Sequence, residues 1–509
     1  MKEEQRLLIA FLLSLFIIIF FSRLYQRKYV PPTQSSKIPQ KVIHEEKHYE
    51  DFWQYSDKSI NFENDVFIGE IDLSGGKIKN IGLKNYKKIG EQYFYILNMP
   101  FSLCEYPEGD LKWQNTFYSY SQKDNLIILE GNPGEKIKII KKYKTFPSLY
   151  TIEYEIEILN NKTEKLSLKN YFLIGEVINI NEEVKERTFA SEILVESNGH
   201  ILKRAISKVS GYQIFENSSW ICLKSKYKLV FLKSEIGKTF INRKDKNIIF
   251  GFLYPEINIE PKQSEKLKFS FYSGPSDYFV ARKEIKENIF GKGFFASMGK
   301  ILFVILAGIQ RVIPNWGFAI ILLTLIIKIV FFPLTKSSLH SMKQIQKLRP
   351  YMKDLQTKYK DNPSQMQKEL MNLYKEYKIN PFSGCIPMLI QIPIFIGFFI
   401  ALRNSIFLRG APFIFWIKDL SIPDTVYKIP LKFTIPVIEN NINLLPIIMA
   451  VTSFWQQKLT PAEPSQKSLT LLMPIMFLFL FYNFPSGLLL YWVTMNLASL
   501  IEHYLIYKK

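Results

Sequence analysis

Six apolar segments constrain the fold of this chain more than any other feature. They cover residues 7–21, 316–332, 387–402, 442–454, 469–481 and 488–500. A membrane-spanning helix needs about 20 mostly apolar residues, and each segment approaches that length when its boundaries are extended slightly. The pattern therefore predicts a polytopic α-helical membrane protein with six spans, one near the N-terminus and five at about 315–334, 386–404, 441–458, 468–484 and 487–506.

The first apolar segment predicts an anchor that stays attached. It is followed by Ser22, Arg23 and further polar residues, without the small residues of a signal-peptide cleavage site. We therefore expect an uncleaved transmembrane anchor over residues 1–30. Residues 31–48 are rich in proline, glutamine, serine and lysine without periodicity, which is typical of a linker.

Residues 49–280 alternate between apolar and polar side chains. The clearest example is the segment 152–158, in which isoleucine or tyrosine occupies every even position and glutamate every odd one. This period of two predicts strands with one buried face, and more than 200 residues suffice for a core. We expect an extracytoplasmic antiparallel β-sandwich domain. Residues 281–314 follow as an interfacial amphipathic helix, although the stretch 294–310 also has the composition of a short span.

Residues 336–380 predict a basic helical hairpin. Lys336 to Lys378 includes ten lysine or arginine residues against four acidic ones, and apolar residues recur at helical spacing on both sides of Asn362-Pro363. Positively charged loops stay in the cytoplasm. The hairpin therefore orients the chain, with both termini cytoplasmic and the β-sandwich on the outer side of the membrane.

The overall charge excludes some other functions. The formal net charge is +20, but the basic residues are spread along the chain, which suits anionic lipids better than sequence-specific nucleic-acid recognition. Cys104, Cys222 and Cys385 have no metal-site spacing. A Cys104–Cys222 disulfide is the one pairing that their locations allow, and we do not expect it.

Lys328 is the most informative single residue, because it lies inside the apolar segment 316–332. A lysine at the centre of a bilayer costs about 2.5–3.5 kcal/mol on insertion scales, so such a charge usually faces a protein interior or a hydrated cavity. Thr324 precedes it by one helical turn on the same face. The pair predicts a polar stripe within the membrane.

Each candidate residue also has a structural explanation. Lys328 is five residues from Pro333, about 7.5 Å of helix rise, so its side chain can reach the interface by snorkelling. Gln457 precedes Lys458 at a point where its helix is leaving the membrane, and Tyr491 and Trp492 are typical of an interfacial aromatic belt or of packing.

His44-Glu-Glu-Lys-His48 matches the HExxH pattern of zinc proteases. That pattern binds zinc when it lies on a supported helix near a third ligand. Here it follows a proline-rich linker and is flanked by charges, so we expect neither a metal site nor a catalytic site. A zinc protease remains an alternative that replacement of His48 would test.

Several motifs together resemble one known family. They are Asn315-Trp-Gly-Phe-Ala-Ile-Ile, Phe332-Pro-Leu-Thr, Asn380-Pro-Phe-Ser-Gly-Cys-Ile-Pro and Phe484-Pro-Ser-Gly-Leu-Leu-Leu-Tyr-Trp, with Asn64-Asp-Val-Phe-Ile-Gly-Glu and Tyr272-Ser-Gly-Pro upstream. The chain resembles the YidC membrane protein insertases of the Gram-negative type, which have a large periplasmic domain.

The resemblance implies a membrane protein insertase and folding chaperone with a five-helix core and no cofactor. Nascent transmembrane segments would enter a hydrophilic groove whose positive charge attracts their acidic residues. Lys328 occupies the position where the family usually has arginine, and Thr324, Gln457, Tyr491 and Trp492 match other groove positions. Lysine keeps the charge of arginine but lacks its planar fork.

The resemblance also implies partners. These are nascent membrane proteins, the ribosome through the basic hairpin, and the Sec translocon including SecD and SecF. The residues alone leave a second function open, because a buried cation with polar neighbours also suits a small-solute or ion transporter.

Overall fold

The chain forms two compact units, each described by itself below. The computed structural model describes residues 56, 58–86, 92–97, 103–106, 113, 115–179, 191–235, 237–244, 247–290, 293–360, 362–377, 386–403, 405–430, 438–459 and 467–507. The predicted anchor, the linker and the His44–His48 motif lie outside these residues. We call the residues up to 290 the β domain, and residues 293–403 and 408–507 the helical unit.

The β domain is built from eighteen described strands. In chain order they are β1 Ser59–Glu63, β2 Phe67–Asp72, β3 Lys77–Leu83, β4 Phe94–Leu97, β5 Cys104–Tyr106, β6 Ser119–Lys123, β7 Leu126–Gly134, β8 Ile137–Thr145, β9 Thr151–Asn160, β10 Leu166–Asn179, β11 Glu192–Ser197, β12 His200–Ala205, β13 Tyr212–Phe215, β14 Trp220–Lys224, β15 Lys228–Ser234, β16 Lys238–Lys244, β17 Asn247–Ile259 and β18 Ser264–Pro275.

These strands form three antiparallel sheets. Their orders are β1-β2-β3-β4, β13-β16-β17-β10-β5 and β12-β11-β14-β15-β18-β9-β8-β7-β6. Buried residues from all three sheets contribute to one hydrophobic core. In β9 the alternation acts as predicted, because Ile152, Tyr154, Ile156 and Ile158 are all at most 1 % exposed. The prediction of a β-rich domain made of antiparallel strands is confirmed.

The described helices are α1 Tyr278–Ala281, at the end of the β domain, and α2 Phe294–Val312, α3 Trp316–Lys347, α4 Arg349–Lys358, α5 Pro363–Glu376, α6 Ile386–Arg403, α7 Leu444–Leu459, α8 Lys467–Phe481 and α9 Ser486–Tyr507. A short hairpin of β19 Thr425–Lys428 and β20 Asn441–Asn443 precedes α7. The segment predicted as a span over 315–334 is thus part of a longer helix, since α3 continues through Pro333.

Two of the described helices, α2 and α3, are long and apolar enough to cross a membrane. Shorter apolar helical stretches cover Gln391–Arg403 and Leu472–Phe481. On α3, Ile329 and Val330 are 72 % and 65 % exposed, while Leu323 and Ile327 are buried. An apolar surface of this kind suits lipid rather than water. The described residues thus support a helical core but not a count of six spans.

Close packing fixes α2 against α6. A Cβ atom on Gly299 of α2 would lie 2.9 Å from the backbone oxygen of Gly397 on α6. Small residues at such a crossing let two helix backbones approach closely, which is how helices associate in lipid. Helix α2 also packs against α3. The segment predicted to lie in the interface is therefore a helix integrated into the helical unit.

Helices α4 and α5 form an antiparallel pair beyond α3. Leu348, Met352 and Tyr374 are buried between them, with Ile345, Leu370 and Leu373 packed around. The Asn362 side chain caps α5 by accepting a hydrogen bond from the backbone N–H of Gln365. This small core explains why a strongly basic segment is helical, and it leaves charged side chains such as Lys353, Lys358 and Lys368 exposed.

Candidate functional site

Helix α3 presents Lys328 to the interior of the helical unit. Asn315 caps the helix by accepting hydrogen bonds from the backbone N–H groups of Gly317 and Phe318. Ile320, Leu323 and Ile327 lie on the buried face, and the Lys328 side chain is 13 % exposed at its edge. The lysine is therefore mostly withdrawn from the surface of the helical unit.

Lys328 forms an ion pair with Glu502 of α9. The Lys328 Nζ atom donates to Glu502 Oε2 over 2.7 Å, and the Glu502 side chain is 11 % exposed. This distance is typical of a charge-assisted hydrogen bond, which is stronger than a neutral one. The pair joins the middle of α3 to the last two turns of α9.

A small cavity lies beside this pair. Its volume is about 40 Å³, which is room for a few water molecules at about 10–15 Å³ each. The polar residues of its wall are Lys328, Thr335 and Gln391, and the remaining wall is apolar, formed by Ile327, Phe331, Leu334, Ile394 and Met495. The cavity thus lies among α3, α6 and α9 and offers one cation and two neutral polar groups.

Gln391 connects the cavity to Tyr491 of α9. The Gln391 Nε2 atom donates a hydrogen bond to the Tyr491 hydroxyl oxygen. The Tyr491 ring is 1 % exposed and stacks on Phe398 of α6 with a centroid separation of 4.4 Å. Tyr491 therefore holds α6 against α9 and orients Gln391. Gln391 lines the cavity, whereas Tyr491 does not.

Trp492 belongs to an aromatic cluster among α6, α8 and α9. Its ring centroid lies 4.8 Å from that of Phe395, 4.9 Å from that of Phe481 and 5.5 Å from that of Phe477. Aromatic pairs at these separations stabilise packing beyond the area that they bury. The structure thus places Trp492 in helix packing and outside the cavity wall.

Thr324 and Gln457 are not brought to the cavity. Thr324 is fully buried, and its hydroxyl donates to the backbone oxygen of Ile320 over 2.7 Å. Gln457 lies at the end of α7, and its Oε1 atom is buried without a hydrogen-bond partner among the described residues.

A second polar cluster joins α7 to α9. The Asn496 side-chain amide donates to Ser453 Oγ over 2.8 Å and to Thr452 Oγ1 over 3.1 Å, and all three residues are at most 5 % exposed. In the structure they satisfy one another, as buried polar groups normally do.

Glu502 is the site residue that sequence reasoning missed. The signal was available, because Glu502 is an acidic residue within the last apolar helix, as unusual there as Lys328 is in α3. Gln391 was likewise not identified as a neighbour of Lys328 and Tyr491. Both omissions concern contacts between residues that are far apart in sequence.

Two family models match this chain, one in each unit. The family model described as 60Kd inner membrane protein matches residues 308–509, and that of the YidC periplasmic domain matches residues 59–290. The crystal structure of an active YidC insertase with its first transmembrane domain resolved covers 90 % of this chain and 94 % of its own, at 20 % identity and a TM-score of 0.40.

Curated relatives extend the match to most of the chain. The membrane protein insertase YidC of Francisella philomiragia is 31 % identical over 490 residues, which cover 89 % of this chain and 85 % of the relative. That of Geobacter sulfurreducens is 34 % identical over 405 residues, or 74 % of this chain and 72 % of the relative. The chain therefore belongs to the YidC family of membrane protein insertases, inner-membrane proteins with a periplasmic domain.

Proposed function

We propose that this chain inserts nascent transmembrane segments into the inner membrane and assists their folding, through a hydrophilic groove that contains Lys328. The client's short translocated segment would enter the groove, and its acidic residue would pair with the lysine. Burial of the client's apolar segment in lipid then provides the net driving force, at about 25 cal/mol for each Å² of apolar surface. No nucleotide or cofactor takes part.

One observation carries this proposal, which is that Lys328 lines a small, partly polar cavity among three helices of the insertase core. In a medium of reduced dielectric constant, a lysine attracts a carboxylate more strongly than it would in bulk water. Gln391 and Thr335 supply neutral hydrogen-bonding groups nearby. A polar client segment therefore finds both a charge and hydrogen-bonding partners at one place.

The depth of Lys328 fits a groove that is reached from the cytoplasm. Lys328 follows Trp316, the first residue of α3, by twelve residues, or about 18 Å of helix rise. The hydrocarbon core is about 30 Å thick. In the proposed six-span topology, with both termini cytoplasmic, Trp316 lies at the periplasmic interface and Lys328 in the cytoplasmic half.

The basic hairpin formed by α4 and α5 is the proposed contact for the ribosome and for anionic lipid. Its exposed cations include Arg349, Lys353, Lys358 and Lys368. Cations near a membrane surface contribute about 1 kcal/mol each towards anionic lipid. Cooperation with the Sec translocon, including SecD and SecF, is proposed from family membership.

The proposal is tested by depleting a host of its own insertase and expressing this chain. The measurement is protease protection of the translocated end of a single-span client that carries one aspartate there. We expect rescue by the parent chain and by Lys328→Arg. With Lys328→Ala, insertion should fall about tenfold, because at least one charge-assisted hydrogen bond of about 1.5 kcal/mol is lost.

A double variant, Lys328→Gln with Glu502→Gln, serves as the control for misfolding, since it removes both charges without leaving a buried carboxylate unpaired. It should insert the aspartate client as poorly as Lys328→Ala does. Absence of rescue by a parent chain that is stably present in the membrane would refute the insertase proposal and favour transport of a solute.

A further inference from the structure

We propose that Glu502 determines client specificity. Its carboxylate is paired with the Lys328 ammonium group in the resting chain, so the carboxylate of an acidic client has to displace it. This inference rests on the proposed insertase function. It assigns to Glu502 the role of an internal competitor, a carboxylate of the chain itself at the place where the client's carboxylate would bind.

The geometry supports competition for one position. Glu502 Oε2 lies 2.7 Å from Lys328 Nζ, and both side chains are largely withdrawn from the surface. The Lys328 side chain also contributes to the wall of the cavity formed with Gln391 and Thr335. A client carboxylate that enters the cavity therefore approaches the ammonium group that Glu502 already holds.

The energetics make this an exchange between carboxylates. Removing one partner of a buried pair without replacement is strongly unfavourable, because the remaining charge is left without compensation. A client carboxylate replaces the lost interaction, whereas an amide of similar shape replaces only part of it. The wild-type chain should therefore prefer an acidic client only moderately, since each acidic client gains a bond to Lys328 while Glu502 loses one.

Removal of the competitor should increase that preference. In Glu502→Gln, Lys328 retains its charge and the helix retains a side chain of nearly equal size. We expect the ratio of insertion of an aspartate client to that of a matched asparagine client to rise about tenfold over the wild-type ratio, as the loss of a competing charged hydrogen bond predicts.

The experiment measures this ratio by protease protection at limiting amounts of insertase. It compares the wild-type chain with Glu502→Gln, with Lys328→Gln and with the double variant. The ratio should rise in Glu502→Gln, and it should fall to about one in both variants that lack Lys328. An equal fall for both clients in Glu502→Gln would show that the pair only holds α3 to α9, and it would overturn the inference.

Two further variants keep the test decisive. Glu502→Asp retains a carboxylate that is one methylene shorter, so a ratio between those of the wild type and Glu502→Gln is expected even if the glutamine variant accumulates poorly. Glu265→Gln removes an exposed carboxylate from β18 and should leave the ratio unchanged. An Asp variant with the wild-type ratio would contradict the inference.

The two proposals fail in different ways. If the wild-type chain inserts neither client, the insertase function is refuted. If it inserts both and the ratio is the same in Glu502→Gln and Glu502→Asp as in the wild type, the insertase function remains and the role of Glu502 as a competitor is refuted.

Discussion

The β domain and the helical unit carry their ion pairs in opposite environments. On the solvent-facing side of β9, Glu155 accepts from Lys142 at 2.9 Å and lies 3.6 Å from Lys268, whose side chain is 74 % exposed. In the helical unit, Lys328 and Glu502 meet at 2.7 Å and are 13 % and 11 % exposed. Charges of the same types are thus shared among neighbours that remain in contact with solvent in one unit and enclosed as a pair in the other.

The difference lies in what happens when one partner is removed. A partly exposed glutamate such as Glu155 still has water and a second lysine, so each pair contributes about 0–1 kcal/mol. Hydrogen bonding to Lys142 and the charges of the nearby lysines lower the pKa of Glu155, although its partial burial acts in the opposite direction. Glu502 has no such surroundings, because it is buried between helices. Burial therefore makes the enclosed pair sensitive to the loss of either partner. Such sensitivity is what the proposed exchange of a client carboxylate for Glu502 requires.

The largest expected effect is therefore on the stability of the helical unit. Replacing Lys328 by Ala leaves the Glu502 carboxylate buried and unpaired, which should destabilise the protein by about 3–5 kcal/mol. Thermal unfolding of the full-length protein in detergent, followed by the helical circular dichroism signal, measures this. A cost below about 1 kcal/mol, as for exposed pairs, would show that the pair is effectively solvated.

A double substitution separates the cost of an unpaired buried charge from the cost of lost side-chain packing. Replacing Lys328 by Met and Glu502 by Leu together should leave stability close to that of the parent, since apolar residues of similar volume often substitute for a buried pair without loss. A double variant as unstable as the single one would mean that the cost of Lys328→Ala comes from lost side-chain packing.

The sequence predicts the faces of single elements well. The alternation at residues 152–158 predicts which side chains β9 buries, because in a strand the side-chain direction follows directly from position. Lys328 stands out for a similar reason, since a charge in an apolar segment is conspicuous without any knowledge of its neighbours.

Contacts between distant elements are where the sequence is insufficient. Lys328 and Glu502 are 174 residues apart, and only the packing of α9 against α3 brings them together. Thr324 shows a second limit, because helical spacing places it one turn from Lys328 but does not predict that its hydroxyl bonds within its own helix, to Ile320. Spacing in the sequence predicts the helix face on which a side chain lies. Which hydrogen-bond partner that side chain takes depends on its surroundings in the folded protein.

Asp277 is a buried carboxylate in the β domain. It tests whether burial governs the energetic cost of a charge in either unit. Burial raises the pKa of Asp277 to about 6, against the effect of the backbone N–H groups that it caps. The carboxyl is therefore protonated more readily in the folded protein than in the unfolded one, in which its pKa is 3.8. Its contribution to stability is present below pH 4 and is lost as the pH rises through about 6.

Asp277→Asn should remove this dependence while it keeps an acceptor for the N–H group of Phe279. We expect the variant to be more stable than the parent by about 3 kcal/mol at pH 7.5 and to lose most of that advantage at pH 4. The β-sheet infrared band of the full-length protein, followed during heating at several pH values, reports on the β domain. A constant difference between variant and parent across this range would contradict the assignment.

The smallest expected effect sharpens the comparison most directly, because distance is held constant. Lys203 and Glu192 of the β domain also lie 2.7 Å apart, the same separation as Lys328 and Glu502, but their side chains are 59 % and 29 % exposed. Lys203→Ala should cost at most about 1 kcal/mol, and the cost should shrink further at high salt, since exposed charges are screened. The same infrared measurement at low and high ionic strength tests this. A cost close to that of Lys328→Ala would mean that the distance between charges, and not their enclosure, sets the energy of an ion pair in this protein.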